Sequence, residues 1–190
     1  MIETYGVKTY HNGIKMRSGL ENRVANLLDT MKIKYEYEPK YFKLTNGSLY
    51  VPDFYLTDMK LFVEVKPFIE EDKANIKKMV CLCNDNKIEG LIITPDEILF
   101  LTWYTDLNDK PDGFVEIEPT QLILCSHCKK YSFIPLYASY HCRNCNTHEG
   151  DHDIVLSGST GRFNDKLTLE CVEHHVGLLS PGDRQWRHHK

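Results

Sequence analysis

The chain reads as a mixed α/β (α+β) fold, a central β-sheet flanked by helices, with a small cysteine-built module attached. Three patterns predict this: an apolar stripe at helical spacing between residues 20 and 31, short strands on either side of a second helical stretch, and two Cys-x-x-Cys pairs late in the chain. There is no internal repeat and no low-complexity tract.

The first helix is predicted over Arg17–Met31, where Leu20, Val24, Leu27, Leu28 and Met31 fall on one face. Ser18 suits the N-cap, and Glu21 three residues later completes a capping box. Ile33–Tyr41 alternates as a strand does. Leu49–Leu56 and Leu61–Val65 are rich in β-branched, aromatic and aliphatic residues and read as two further strands around the polar break Thr57-Asp58-Met59-Lys60. Pro67 ends the second, because proline cannot donate to a ladder. A second helix is predicted over Glu70–Cys83, with Ile76, Met79, Val80 and Cys83 inward. A buried strand follows at Glu89–Thr94 and another strand at Glu97–Tyr104, then a loop over Asn108–Gly113 and a short edge strand at Phe114–Glu118. A boundary is expected near Pro119-Thr120, giving a core at 1–119, a cysteine module at 120–150 and an extension at 151–190, in part helical and ending in a basic tail.

The two strands around Thr57–Lys60 carry the chemistry. A tight turn there pairs Tyr55 with Phe62 and sets Asp53 directly across from Glu64. Side chains alternate along a strand, so Glu64 and Lys66 share a face. Two carboxylates opposed in a sheet repel one another, and a bound divalent cation removes that penalty. Taken singly, Asp53 also reads as a strand-edge residue after Pro52, and Glu64 and Lys66 as a solvent-facing pair. Glu21 has its own plainer role in the capping box, yet it lies on the flank of the buried stripe, where an unpaired carboxylate is costly.

Cys125-Ser-His-Cys128 and Cys142-Arg-Asn-Cys145 are separated by thirteen residues, a spacing that predicts a four-thiolate Zn²⁺ site. The aromatic stretch between them is expected to form a hairpin, and the metal would supply much of the folding energy of so small a module. His127 and His141 lie beside the pairs, but four cysteines already complete the site. Cys81, Cys83 and Cys171 read as buried apolar filler.

Composition bounds the rest. The formal net charge is −4, which argues against nonspecific coating of nucleic acid. The charge is uneven: residues 1–44 hold 8 basic against 5 acidic side chains, residues 45–120 hold 7 against 15, and residues 121–190 hold 8 against 7. The acidic middle, which contains Asp53 and Glu64, suits a cation; DNA would be held by the flanks, where Lys8, Lys15 and Arg17 are candidates for phosphate contact or for plain solvation. No apolar run reaches membrane-spanning length and the start lacks a signal-peptide pattern, so a cytoplasmic location with reduced thiols is expected.

Glu21 on an N-terminal helix, Pro52-Asp53, and Glu64-Val-Lys66 on adjoining strands resemble the PD-(D/E)xK nuclease superfamily. Arg17-Ser-x-x-Glu21, Tyr-Glu-Tyr-Glu-Pro39, Pro-Asp-Phe54 and Glu-Val-Lys66 are most similar to the N-terminal endonuclease domain of TnsA transposase subunits and to related endonucleases of phages and mobile elements. The resemblance covers about residues 15–100 and leaves out the cysteine module and the tail. It implies a restriction-endonuclease-like sheet and Mg²⁺- or Mn²⁺-dependent hydrolysis of DNA phosphodiesters. It also implies that Asp53 and Glu64 are metal ligands, that Lys66 orients or activates the attacking water, and that Glu21 approaches the metal or its water from the helix. Hard carboxylate oxygens suit such cations independently of any resemblance. The zinc ribbon is expected to position DNA or a partner protein, and a homodimer would suit a branched-DNA substrate.

Three other readings follow from the same residues. The core is a DNA-docking or assembly subunit on a nuclease fold, or the nuclease acts on RNA or branched DNA. In the third, Cys142-x-x-Cys145, Asp151-His152, Asn164 and Cys171-x-x-His174-His175 follow the order of an HNH nuclease, without the proline expected after Asp-His.

Overall fold

The computed structural model describes residues 9–67, 73–95, 97–106, 110–136, 141–147 and 153–157. Asp151-His152 and everything from residue 158 on lie outside the described residues, as do the HNH-like order and the basic tail that rest on them.

The chain opens with a hairpin, β1 (Thr9–His11) and β2 (Ile14–Met16), closed by Asn12-Gly13. Both turn residues have positive φ (48° and 81°), which Asn-Gly tolerates and which matches the twist of a two-residue hairpin. The sequence reading passed over this signal. His11 Nε2 lies 2.7 Å from Asp29 and ties the hairpin to α1 (Gly19–Thr30). Ser18 caps that helix as expected: its Oγ accepts from Glu21 N–H at 3.1 Å. The predicted stripe is buried throughout, with Val24 and Leu28 fully inaccessible.

The strand expected over 33–41 is shorter, β3 (Tyr35–Tyr37). It gives way at Glu38, whose φ of 47° no strand accommodates. β4 (Phe42–Lys43) and β5 (Leu49–Tyr50) pair only with each other. The single strand expected over 49–56 is therefore two pieces, since Val51-Pro52-Asp53 leaves the ladder before β6 (Phe54–Leu56). Pro52 has no N–H to give, so the break costs little. β6 pairs with β7 (Leu61–Val65) in the predicted register, Tyr55 opposite Phe62.

α2 (Lys73–Asn86) buries Ile76, Met79, Leu82 and Cys83; Val80 is only half-buried, and Leu82 takes the place expected for it. β8 (Gly90–Ile93) pairs parallel with β7, and β9 (Ile98–Asp106) antiparallel with β8. β10 (Lys110–Leu124) differs most from expectation. From Lys110 on, the predicted loop and the short edge strand are one long strand whose register slips between Lys110 and Phe114, so Pro-Asp-Gly is absorbed by the irregularity, while residues 108–109 of that loop lie outside the described residues. It runs unbroken through Pro119-Thr120: residues up to Pro119 pair with β9, and residues 120–124 pair with β11 (Tyr131–Pro135) and, from 121, with β12 (Asp153–Ser157).

The result is a mixed sheet in the order β11-β10-β9-β8-β7-β6-β3, with β12 also on β10. Alternation divides its side chains between two cores. Phe54, Leu56, Val63, Val65, Leu91, Ile93 and Phe100 join the α1 stripe. Phe62, Ile92 and Leu101 join α2. Among the described residues no helix is long and apolar enough to cross a membrane.

Candidate functional site

Three carboxylates are buried near one end of the β6–β7 hairpin: Glu21 (6% exposed), Asp53 (2%) and Glu64 (3%). Each arrives by a different route. Glu21 sits in the first turn of α1, and its two oxygens divide the work. Oε1 accepts from Ser18 Oγ at 2.9 Å, while Oε2 accepts from Tyr37 Oη at 2.6 Å and from Arg17 N–H at 3.1 Å. The capping box and the inward placement are thus one arrangement, since the helix start holds the carboxylate over the sheet.

Asp53 lies just beyond the end of β6. Its carbonyl accepts from Glu38 N–H at 2.9 Å, and its Oδ2 takes the Val65 N–H at 2.7 Å. The side chain thereby substitutes for backbone pairing and is set between Glu64 and Lys66 on the facing strand. Oδ1 is ion-paired with Arg17, whose Nε is 2.8 Å from Glu38.

Glu64 is on the α2 face of β7. Lys66 Nζ lies 2.7 Å from its Oε1, and Tyr50 Oη donates to Oε2 at 2.5 Å. Tyr50 is positioned by the β4–β5 loop, which α2 fixes through Asp85: Thr45 N–H and Oγ1 donate to its oxygens at 2.9 and 3.1 Å.

Such a cluster is electrostatically tense. Burial pushes the Asp53 carboxyl up to about 8; Glu64 and Glu21 push the same way, against Lys66 and the Val65 N–H. Burial also raises Glu64, opposed by Lys66, Tyr50 and Arg17. Burial and the Glu64 charge raise Tyr50, so its hydroxyl keeps its proton and donates. A hard divalent cation suits this set: oxygen donors from separate elements, at least one of which burial drives to hold a proton when no cation is there.

The cysteines form a second centre. Sγ atoms of Cys125, Cys128, Cys142 and Cys145 all lie within 4.8 Å of one another, with Cys125–Cys145 at 3.8 Å and Cys128–Cys142 at 3.6 Å. Tetrahedral zinc with bonds of about 2.3 Å separates its sulfurs by about 3.8 Å. The two pairs also share a backbone. Cys125 and Cys142 accept at O from Lys129 and Asn146 N–H, and donate to Lys130 O and Thr147 O. Lys129 and Asn146 have φ of 58° and 56°. The cluster fits a zinc module, at the turn of the β10–β11 hairpin; neither His127 nor His141 belongs to it.

Among curated proteins the chain is similar to Endonuclease I of Escherichia phage T7. The two are 38% identical over 71 residues, a stretch that is 36% of this chain and 47% of that protein. The chain thus spans about half the length of the relative it matches. No family model matches, and no solved structure matches.

All four residues singled out at the hairpin and helix start lie together, and Glu64 and Lys66 are in direct contact. The sequence reading missed Tyr37 and Tyr50, which orient Glu21 and Glu64, and it left Arg17 between phosphate contact and solvation, although Arg17 pairs with Asp53. A tyrosine beside an acid across 14 or 16 residues leaves no local pattern.

Proposed function

We propose that this chain is a metal-dependent endonuclease of the PD-(D/E)xK kind that hydrolyses DNA phosphodiesters, with Asp53 and Glu64 holding Mg²⁺ or Mn²⁺ and the four cysteines holding a structural Zn²⁺. The observation that carries the reading is the burial of Glu21, Asp53 and Glu64 in one electrostatically coupled cluster beside Lys66. Keeping three carboxyls buried together is costly, whether they hold their protons or their charge, and a cation would offset that cost. The phage endonuclease similarity supports the same class.

A bound divalent cation would lower the pKa of a coordinated water and offset charge on the phosphate. The chain's own residues do the rest. Val65 N–H and Tyr50 Oη each fix one oxygen of Asp53 and Glu64, leaving the acids little freedom to rotate. Lys66, held by Glu64 at the strand end, keeps an ammonium where phosphate charge grows. Arg17, half-exposed and ion-paired with Asp53, would be free to meet a phosphate if a cation neutralised Asp53 in its stead. Glu21, oriented by Tyr37, accepts a hydrogen bond from the attacking water.

A second reading has one observation in its favour. Both Asp53 oxygens already have partners, as in a structural carboxylate, which suits a docking subunit built on a nuclease fold. A plasmid-nicking assay with Mg²⁺ or Mn²⁺ separates the two. Asp53→Ala should lower nicking by about two orders of magnitude or more, as loss of a single electrostatic contact does in other hydrolases, with zinc content unchanged. Undiminished nicking in the variant defeats the assignment; no nicking by either protein favours docking.

A further inference from the structure

A cleft of about 690 Å³ opens at the other end of β7, between the β6–β7 turn, the start of β8 and the second cysteine knuckle. It is separated from Glu64 and Lys66 by the length of the strand, roughly 13–20 Å. Its wall is apolar where Met59, Ile88, Ile134 and Pro135 line it, and Trp103 adds an aromatic ring. Its rim is basic. Lys60 and Lys87 line it, and Lys87 Nζ stands 5.7 Å from the centre of the Trp103 ring.

Two carboxylates also line the cleft, and both are already neutralised. Asp58 is paired with Lys130 at 3.2 Å and Lys34 at 3.8 Å, and Glu89 with Arg143 at 2.5 Å. Among the described residues no carboxylate comes within ion-pair distance of Lys60 or Lys87, so this end of the sheet is positive where the other is negative. Two polar atoms of lining residues, Trp103 Nε1 and Arg143 Nε, are buried without a hydrogen-bond partner. Each such atom is costly to bury unless something meets it.

We propose that this cleft binds an unpaired nucleotide of a single-stranded DNA segment, its base against Trp103 and the apolar wall and its flanking phosphates on Lys60 and Lys87. An apolar wall with one aromatic ring under a cationic rim is the arrangement that holds single strands without reading their sequence. The cleft is too small to admit a duplex, whose bases are in any case stacked inside it. The proposal stands whether or not the carboxylate cluster cuts DNA, because binding is read without a catalytic cation.

The chain has two tryptophans, Trp103 and Trp186, so a Trp186→Phe protein reports on the cleft alone. We would titrate that full-length, zinc-loaded protein with an oligothymidylate of about 12 nucleotides, with no Mg²⁺ or Mn²⁺ present. Trp103 fluorescence should be quenched. Lys60→Glu with Lys87→Glu should weaken binding about tenfold or more and reduce the log–log salt slope by about 1.4, the value for two single-strand phosphates. Zinc content and melting temperature serve as the folding control for that variant. Three outcomes would overturn the proposal: Trp103 emission unmoved by the oligonucleotide in the parent protein, equal quenching by a blunt duplex, or equal quenching by an oligoglutamate peptide.

Discussion

Asp53 is where a local electrostatic cost and the proposed chemistry meet. Its carboxyl has an ordinary value of 3.8 and is raised to about 8 in the fold, chiefly by burial and then by Glu64. A raised acid binds its proton more tightly folded than unfolded, so its contribution to stability is complete below about 4 and is lost as the pH climbs to about 8. Without divalent cation, the melting temperature of the zinc-loaded protein should therefore fall across that window, relative to Asp53→Asn. Asparagine keeps an acceptor for Val65 N–H and has no proton to lose. Mg²⁺ should restore the difference most at the alkaline end, where the carboxylate is charged and needs a counter-ion. Parallel pH profiles for the two proteins would show that Asp53 is not held protonated, and would remove the electrostatic argument for a cation there.

The elements show how the site was partly legible. Period-two alternation and a short polar break were enough to set Tyr55 opposite Phe62, because slipping by one residue would turn Phe54, Val63 and Val65 out of the core. The α1 stripe was legible for the same reason at helical period. What failed were features set by distant partners. Leu49–Leu56 has the composition of one strand, but Tyr50 is drawn to Glu64 and Asp53 to Val65 N–H, and the chain kinks between them. Lys-Pro-Asp-Gly113 reads as a turn, yet it is carried as an irregularity within β10 because β9 supplies a partner edge. Gly90 tests the packing that results. A Cβ there would overlap Met79 Cε and come 3.1 Å from Phe62 O and 3.2 Å from Cys83 Sγ. The methionine tip can move; the carbonyl beneath it cannot. Gly90→Val should cost about 1–3 kcal/mol, measured by urea unfolding. A neutral result would mean that α2 is not seated on β8 as described.

At the scale of the whole molecule, one strand joins two centres of different chemistry. β10 is a partner of β9 in the main sheet and, from Thr120 on, the first strand of the ribbon hairpin, so the four-cysteine cluster hangs from the sheet itself. Side chains reinforce the join. Arg143, inside the second knuckle, reaches Glu89 at the start of β8 and lies 4.7 Å over the Phe100 ring, while Lys130 reaches Asp58 in the β6–β7 turn. Leu122 and Phe133 of the hairpin are buried in the same core as α1. A ribbon attached by a free linker would melt on its own; this one shares its strand and its core with the sheet. Thermal unfolding of the zinc-loaded protein should therefore be a single transition carrying one zinc per chain, and a chelator should lower its midpoint rather than expose a separate early step, since the metal's binding energy is folding energy for everything cooperative with it. Two resolved transitions, the lower one abolished by Cys142→Ser, would mean that β10 does not transmit stability. The ribbon would then be an independent unit, and its role would lie in what it binds rather than in holding the sheet end that Lys60, Lys87 and Trp103 share.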